Sequence, residues 1–150
     1  MTTLAVNKDR PYVQGDVGEF AVVASDIIFV GSAVGLVDAS GHARPLNSAD
    51  RFAGFCRKKA DNSAGSAADI NVEVDIRGVI QLPVTGAVIT DVGQPIYASD
   101  DNAFQFSPVG GVYVGTVIRF VSAAVVDVAF DALFGKDPYG GRAWETYSAS

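Results

Sequence analysis

The stretch DINVEVDI, residues 69–76, alternates strictly between polar and apolar side chains. In an extended strand, Ile70, Val72, Val74 and Ile76 share one face, and the Asp, Asn and Glu residues between them share the other. An antiparallel sheet that covers a core on one side and meets water on the other has this pattern. The stretch therefore predicts a half-buried β-strand, and it is the clearest periodicity in the chain.

The composition extends this prediction to the rest of the chain. Val occurs 22 times and Leu only 5 times. Branched side chains suit the pleated surface of strands, and no stretch shows a sustained helical period of apolar side chains. Because 49% of the residues are hydrophobic and 19% are charged, wholesale disorder is excluded. We expect a single, mostly β domain.

Short apolar or alternating runs between turn residues mark the candidate strands. These runs are residues 20–24, 27–30, 33–37, 44–46, 52–58, 69–76, 79–84, 95–98, 103–106, 112–121 and 125–130. Pro83 cannot donate to a ladder, so its strand is predicted at an edge or a bulge. Residues 47–51 are predicted as one helical turn capped by Ser48, and residues 60–68 as an exposed loop. So many short strands predict a closed or nearly closed barrel, or a sandwich.

The two ends of the chain differ from this β-rich part, residues 18–131. Residues 1–17 are polar with scattered apolar side chains, which predicts an extended arm. Residues 132–150 are rich in Gly and aromatic side chains and contain the only Trp, Trp144. We expect this tail to dock, either on a neighbouring subunit with Trp144 as the central anchor or on its own domain. No apolar run is long enough for a signal peptide or a membrane span, so a soluble chain is expected.

The charge distribution bears on the class of partner. The net charge of −6 argues against a nucleic-acid partner, which would need clustered Lys and Arg. Four of the eleven basic residues nevertheless fall in nine positions: Arg51, Arg57, Lys58 and Lys59. This cluster is either a solvated strand rim or a contact for an acidic protein partner.

The sequence offers no arrangement of residues that predicts catalysis, a metal or a cofactor. Cys56 lies in an apolar context without a neighbouring base and is predicted to be a buried, inert thiol. His42 is predicted in an exposed turn, too close in sequence to Asp38 and Ser40 to form a triad with them. Residues 100–102 lack the remainder of a calcium loop and are predicted as a hairpin turn. We therefore expect no enzyme.

A set of short motifs, read in order, supports a family resemblance. The motifs are GFC at residues 54–56, VEVDIRG at 72–78, VIQLPV at 79–84, GQPIY at 93–97, FQFS at 104–107 and GTV at 115–117. In this order and spacing, over roughly residues 9–131, the chain resembles the capsid cement (head decoration) proteins of tailed bacteriophages. The tail has no counterpart in that pattern.

The resemblance implies a function without catalytic residues. It implies a small barrel-like or β-tulip-type domain that forms a homotrimer on the outer capsid surface at local three-fold axes. There it would bind the major capsid protein, bridge capsomers and oppose the pressure of packaged DNA. Because the arm of that family typically contacts the capsid, the arm residues Val6, Arg10, Tyr12 and Val13 are expected contacts. Apart from the resemblance, Arg51 and Arg57 of the basic cluster and Trp144 of the tail are expected contacts with the capsid or a neighbouring subunit.

A second class of function stays open at this point. A carbohydrate- or receptor-binding β-domain on a virion or cell surface would need a groove lined by exposed aromatic side chains. Tyr97, Tyr113 and the aromatic residues of the tail could line such a groove.

Overall fold

The structure, a computed structural model, describes residues 5–7 and 15–132. These residues form twelve strands and one short 3-10 turn, Ile89–Asp91, and the described residues contain no α-helix. The strands are β1 Val17–Ala21, β2 Asp26–Ile28, β3 Ala33–Leu36, β4 Ala43–Pro45, β5 Arg51–Lys58, β6 Ala60–Asn62, β7 Asn71–Asp75, β8 Arg77–Pro83, β9 Pro95–Asp100, β10 Ala103–Gln105, β11 Val112–Ser122 and β12 Val125–Asp131. The prediction of a mostly β fold is confirmed.

The first sheet has the strand order β1–β7–β5–β3–β4, and every pair of neighbours is antiparallel. β7 contains the alternating stretch, and Val72 and Val74 are fully buried while Asn71 is exposed and Glu73 and Asp75 are half-buried. The half-buried strand predicted from DINVEVDI is therefore confirmed.

The second sheet has the order β10–β9–β11–β12–β8, again antiparallel throughout. Pro83 lies at the end of β8, which is an edge strand and pairs only with β12 within the sheet. The edge position predicted from this proline is confirmed. The predicted turn at residues 100–102 joins β9 to β10, and the backbone N–H of Asn102 donates to Asp100 Oδ1 over 2.8 Å.

Two apolar clusters form the core: the larger contains side chains of both large sheets, and the smaller is formed by the first sheet together with β2 and β6. The larger cluster centres on Phe55, whose ring packs edge-on against Phe52 and Phe130 at centroid distances of 5.3 and 4.9 Å. Such edge-to-face pairs add to the stabilisation that burial alone provides. Ile76, between β7 and β8, packs against both clusters and so joins the two halves of the core.

The described residues do not form one closed barrel, so of the forms predicted from the sequence the closed barrel is excluded, and the nearly closed barrel and the sandwich stay open. They form two five-stranded sheets and a two-stranded sheet, β2–β6. The ends of the first sheet meet only at one parallel bridge, where the N–H of Val23 donates to Ala43 O over 2.9 Å. Continuous closure of a barrel needs a ladder along both edge strands, and a single bridge does not supply it.

Two local predictions also fail. The predicted loop at residues 60–68 begins with β6, and the buried side chain of Asn62 donates to the carbonyls of Val23 and Ser66 over 2.8 and 3.0 Å. Residues 47–50 form a turn without helix, in which the N–H of Asp50 donates to Asn47 O over 2.9 Å and the carboxylate of Asp50 accepts from Asn47 N over 3.0 Å. A partner distant in sequence, the carbonyl of Val23, decides the first place, and bonds within the turn decide the second.

Candidate interaction surfaces

Both ends of the described domain are attached to one residue, Ile76. Its N–H donates to the carbonyl oxygen of Asp16, and its own carbonyl oxygen accepts from the N–H of Ala132, both over 2.8 Å. Ile76 occupies this position because it links β7 of the first sheet to β8 of the second. The segments before Asp16 and after Ala132 therefore start at the same corner of the domain.

Charged side chains reinforce this corner. Arg77 Nε lies 3.8 Å from Asp16 Oδ1 and 3.9 Å from Asp131 Oδ1, and all three side chains are about half exposed. One guanidinium thus lies between an aspartate on each terminal side. Exposed ion pairs of this kind contribute at most about 1 kcal/mol each, so they orient the ends more than they stabilise them.

The predicted basic cluster does not form one surface. Arg51 begins β5 and its Nη2 lies 2.8 Å from Asp38 Oδ1. Arg57, at a register shift near the other end of the same strand, has Nη1 3.4 Å from Asp75 Oδ1. The extended strand between them separates the two backbone positions by about 20 Å. Arg51 and Arg57 are both exposed, but each is paired with carboxylates of its own chain, Glu73 among them.

The remaining basic residues accompany an exposed aromatic ring. Lys58 and Lys59 are exposed, and within the described part of the chain neither forms an ion pair. Lys59 Nζ lies 5.1 Å from the centroid of the Phe29 ring, in the range of a cation–π contact. Phe29 and Val30 are exposed at the turn between β2 and β3. An acidic partner of the basic cluster would therefore meet the positive charges of Lys58 and Lys59, at the end of β5.

The arm and tail positions fall mostly outside the described residues. Val6 is described and is 77% exposed. Arg10, Tyr12, Val13 and Trp144 lie outside residues 5–7 and 15–132, so their predicted contacts stay predictions.

Of the residues that could line the aromatic groove of a glycan-binding site, Tyr97 is buried, and the aromatic residues of the tail lie outside the described residues. Tyr97 is 1% exposed, and its ring packs edge-on against Tyr113 at a centroid distance of 5.8 Å. Tyr113 is half-buried, and its hydroxyl lies 2.8 Å from Thr116 Oγ1. The prediction that Tyr97 lines an exposed surface is wrong, because its ring is covered by packing within the domain.

Cys56 and His42, a candidate nucleophile and a candidate base, lie in different elements of the fold. Cys56 is buried, its Sγ lies 3.1 Å from the carbonyl oxygen of Lys58, and burial raises the pKa of its thiol, which makes the thiolate scarce. His42 directly follows the turn at residues 38–40 and is half-buried, so the exposure predicted for it is only partial. The described residues contain no group of three or more His, Cys, Asp or Glu that could hold a metal ion.

Sequence reasoning missed two features. One is the corner at Ile76, and the only local sign of it is that the alternation of residues 69–76 breaks at Arg77-Gly78. The other is a set of exposed apolar side chains on the second sheet, among them Ile118 and Val121. The run VIRFV at residues 117–121 departs from strict alternation, which is typical of a bulged strand.

Comparison of the chain with protein-family models finds no match, and comparison with curated proteins finds none either. No helix among the described residues is long and apolar enough to cross a membrane.

Proposed function

We propose that this protein is a capsid decoration, or cement, protein of a tailed bacteriophage. It binds the outer surface of the phage head at or near the three-fold axes as a homotrimer, and its partner there is the major capsid protein. By bridging capsomers it stabilises the shell against the pressure of packaged DNA. It is made in the host cytoplasm, acts without catalysis or a cofactor, and has a β-rich domain of the β-tulip type.

The two terminal segments start at the same corner of the domain, and this observation carries the proposal. Asp16 and Ala132 are both hydrogen-bonded to Ile76, so the segments that precede and follow the domain start from one side of it. A protein that attaches to a surface through its ends needs both ends on the side that meets the surface. The rest of the domain then projects away from the shell.

Symmetry and copy number make weak individual contacts sufficient. A trimer on a three-fold axis repeats each contact three times, and linked contacts raise the overall affinity without any new interaction. The net charge of −6 is consistent with a protein that stays soluble and does not bind packaged or host nucleic acid.

Binding to heads tests the proposal. Expanded heads of the phage that encodes the chain, prepared without it, are incubated with the purified protein, and the bound copies are counted by gel densitometry after sedimentation. We expect saturable binding to expanded heads and a rise in the temperature at which DNA is released. Unexpanded shells are the control and should bind little. Failure to sediment with expanded heads would contradict the proposal.

The oligomeric state is tested separately by light scattering and by imaging of decorated heads. We expect three times the chain mass of 15.6 kDa in solution, or three copies around each three-fold axis on the head. A monomer in solution together with single copies on the head would exclude the trimer.

A further inference from the structure

The outer face of the second sheet exposes large apolar side chains. Val79 on β8 is 57% exposed, and Ile118 and Val121 on β11 are 42% and 43% exposed. Their neighbours Ile80 and Val117 belong to the core side of the same strands. We call Val79, Ile118 and Val121 the outer apolar face, and exposed apolar groups of this kind mark interaction sites more often than chance.

Two bulges in β11 create most of this face. Val117 pairs with Val128 and Arg119 with Asp127, so Ile118 is an extra residue without a partner on β12. A second shift, between Phe120 and Ser122, does the same for Val121. Bulges change the direction in which a strand presents its side chains, and here each one leaves an aliphatic side chain in water.

A neighbouring turn enlarges the apolar area beside β11. Val88, Ile89 and Val92, in and around the 3-10 turn, are all exposed. The turn lies against β11, because the N–H of Gly93 donates to the carbonyl oxygen of Val117 over 2.8 Å. The turn, which exposes these three side chains, therefore lies next to β11 at Val117, one residue before the exposed Ile118.

The charges on this face are already balanced. Arg119 Nη1 lies 2.6 Å from Asp127 Oδ2, between the two bulges. A partner for this face is therefore apolar and has little net charge.

We propose that residues 133–150 of a neighbouring copy cover the outer apolar face, an inference that rests on the homotrimer of the proposed function. This segment contains Phe134, Tyr139, Trp144 and Tyr147, and its two acidic residues balance its two basic residues. Its chemistry therefore matches the face. When extended at about 3.3 Å per residue it reaches about 60 Å, enough to cross to another subunit.

The direction of β12 favours a neighbour over the same chain. β12 begins at Val125, beside the Val121 end of the face, and ends at Asp131. The chain thus leaves the domain about 20 Å from that end and runs away from it. The exit of the chain lies near Val79, which pairs with Ala129, but to cover Ile118 and Val121 of its own face the segment would have to reverse direction. In a ring of three copies, each copy can donate its segment to the next and accept one in return, and the contacts close.

Disulfide trapping tests this inference in solution, without heads. The double variant Ile118→Cys, Ala143→Cys places a thiol on the face and another next to Trp144. The matched control is Val109→Cys, Ala143→Cys, because Val109 is exposed but lies in the loop after β10, at the opposite edge of the sheet from β8. Cys56 stays in all variants, since it is buried.

After mild oxidation at micromolar concentration, we expect the Ile118 variant to give covalent trimers on a non-reducing gel and the Val109 variant to stay monomeric. A disulfide within single chains, equal trapping in both variants, or no trapping at all overturns the inference. Deletion of residues 133–150 gives a second measurement, in which light scattering should fall from the mass of three chains to that of one. If the wild-type protein binds heads as expected but the Ile118 variant forms no disulfide-linked trimer, this inference is wrong and the proposed function is unaffected.

Discussion

Glu19 and Glu73 face each other directly across the β1–β7 pair, so two carboxylates occupy adjacent positions on the solvent side of the first sheet. Arg57 Nε lies 3.8 Å from Glu73 Oε1 and offsets part of the repulsion. Like charges directly opposite each other destabilise a strand pair, whereas opposite charges stabilise it by up to about 1 kcal/mol. The sheet therefore tolerates a local conflict at this position.

Replacing one of the two glutamates should stabilise the protein. We expect Glu19→Lys to raise the free energy of unfolding by about 0.5–1 kcal/mol, measured by urea titration at low salt. Glu19→Gln, which removes the repulsion without adding attraction, should give roughly half of that gain. High salt should reduce both gains through screening. A loss of stability in Glu19→Lys would show that repulsion between Glu19 and Glu73 does not destabilise the folded protein.

Gly54 lies in the middle of β5 with a φ of +126°, and a Cβ at this position would overlap the carbonyl oxygen of Asp75. We expect Gly54→Ala to lower the free energy of unfolding by about 3 kcal/mol, because backbone strain and overpacking add. The control is Gly41→Ala, with a φ of +74° and open space around it, which should cost about 1 kcal/mol. Equal losses in thermal or urea unfolding would refute the steric argument.

Cys56 should report on unfolding through its reactivity. Burial raises the pKa of its thiol above the ordinary value of 9.0, so the thiol stays protonated in the folded protein at pH 8. We expect Ellman's reagent to react with Cys56 only as denaturant unfolds the chain. Rapid reaction of the native protein would contradict the buried position.

The same raised pKa predicts a pH dependence of stability. The neutral thiol is favoured in the folded state, so its contribution is complete below the unfolded pKa near 9 and is lost as pH rises through the higher folded value. Cys56→Ala should lack this part of the alkaline decline in the free energy of unfolding. If both proteins lose stability in parallel above pH 9, the thiol plays no part in it.

Deletion of residues 1–10 separates attachment from folding. The deletion leaves Asp16 and its bond to Ile76 in place, so the melting temperature should change little. Binding to expanded heads should weaken at least about thirtyfold, the loss that removal of one hot-spot residue brings. Unchanged occupancy would exclude the arm as a contact, and a large fall in the melting temperature would assign it to the fold.

Local pattern was enough to predict most of the strands. Val72 and Val74 lie in the core because alternation fixes which face of β7 is buried, and Pro83 lies on an edge strand because it lacks a donor. The failure at residues 60–68 was decided by a residue distant in sequence. Asn62 is buried because the carbonyl of Val23 needs a donor, and nothing near residue 62 reveals that partner.

The candidate contact surface was less predictable than the fold. Four basic residues within nine positions indicated one patch, but extended β5 separates Arg51 from Arg57 and each meets its own carboxylates. Tyr97 was a candidate for an exposed aromatic side chain, but Tyr113 on the neighbouring strand packs against its ring. Register across strands decides exposure, and register depends on pairings that a single sequence does not show.

The attachment of both ends to Ile76 determines the path that tension would take through the domain. A pull applied through the segments before Asp16 and after Ala132 enters at two points joined by one residue. That force passes across two hydrogen bonds and the ion pairs of Arg77 before it reaches the core around Phe55. Phe130 lies next to the tip of β12 and packs on Phe55, so the core is loaded first through this ring. Movement of whatever holds the ends would fray β1 or β12 from its tip, and on β12 the first large core side chain released would be Phe130.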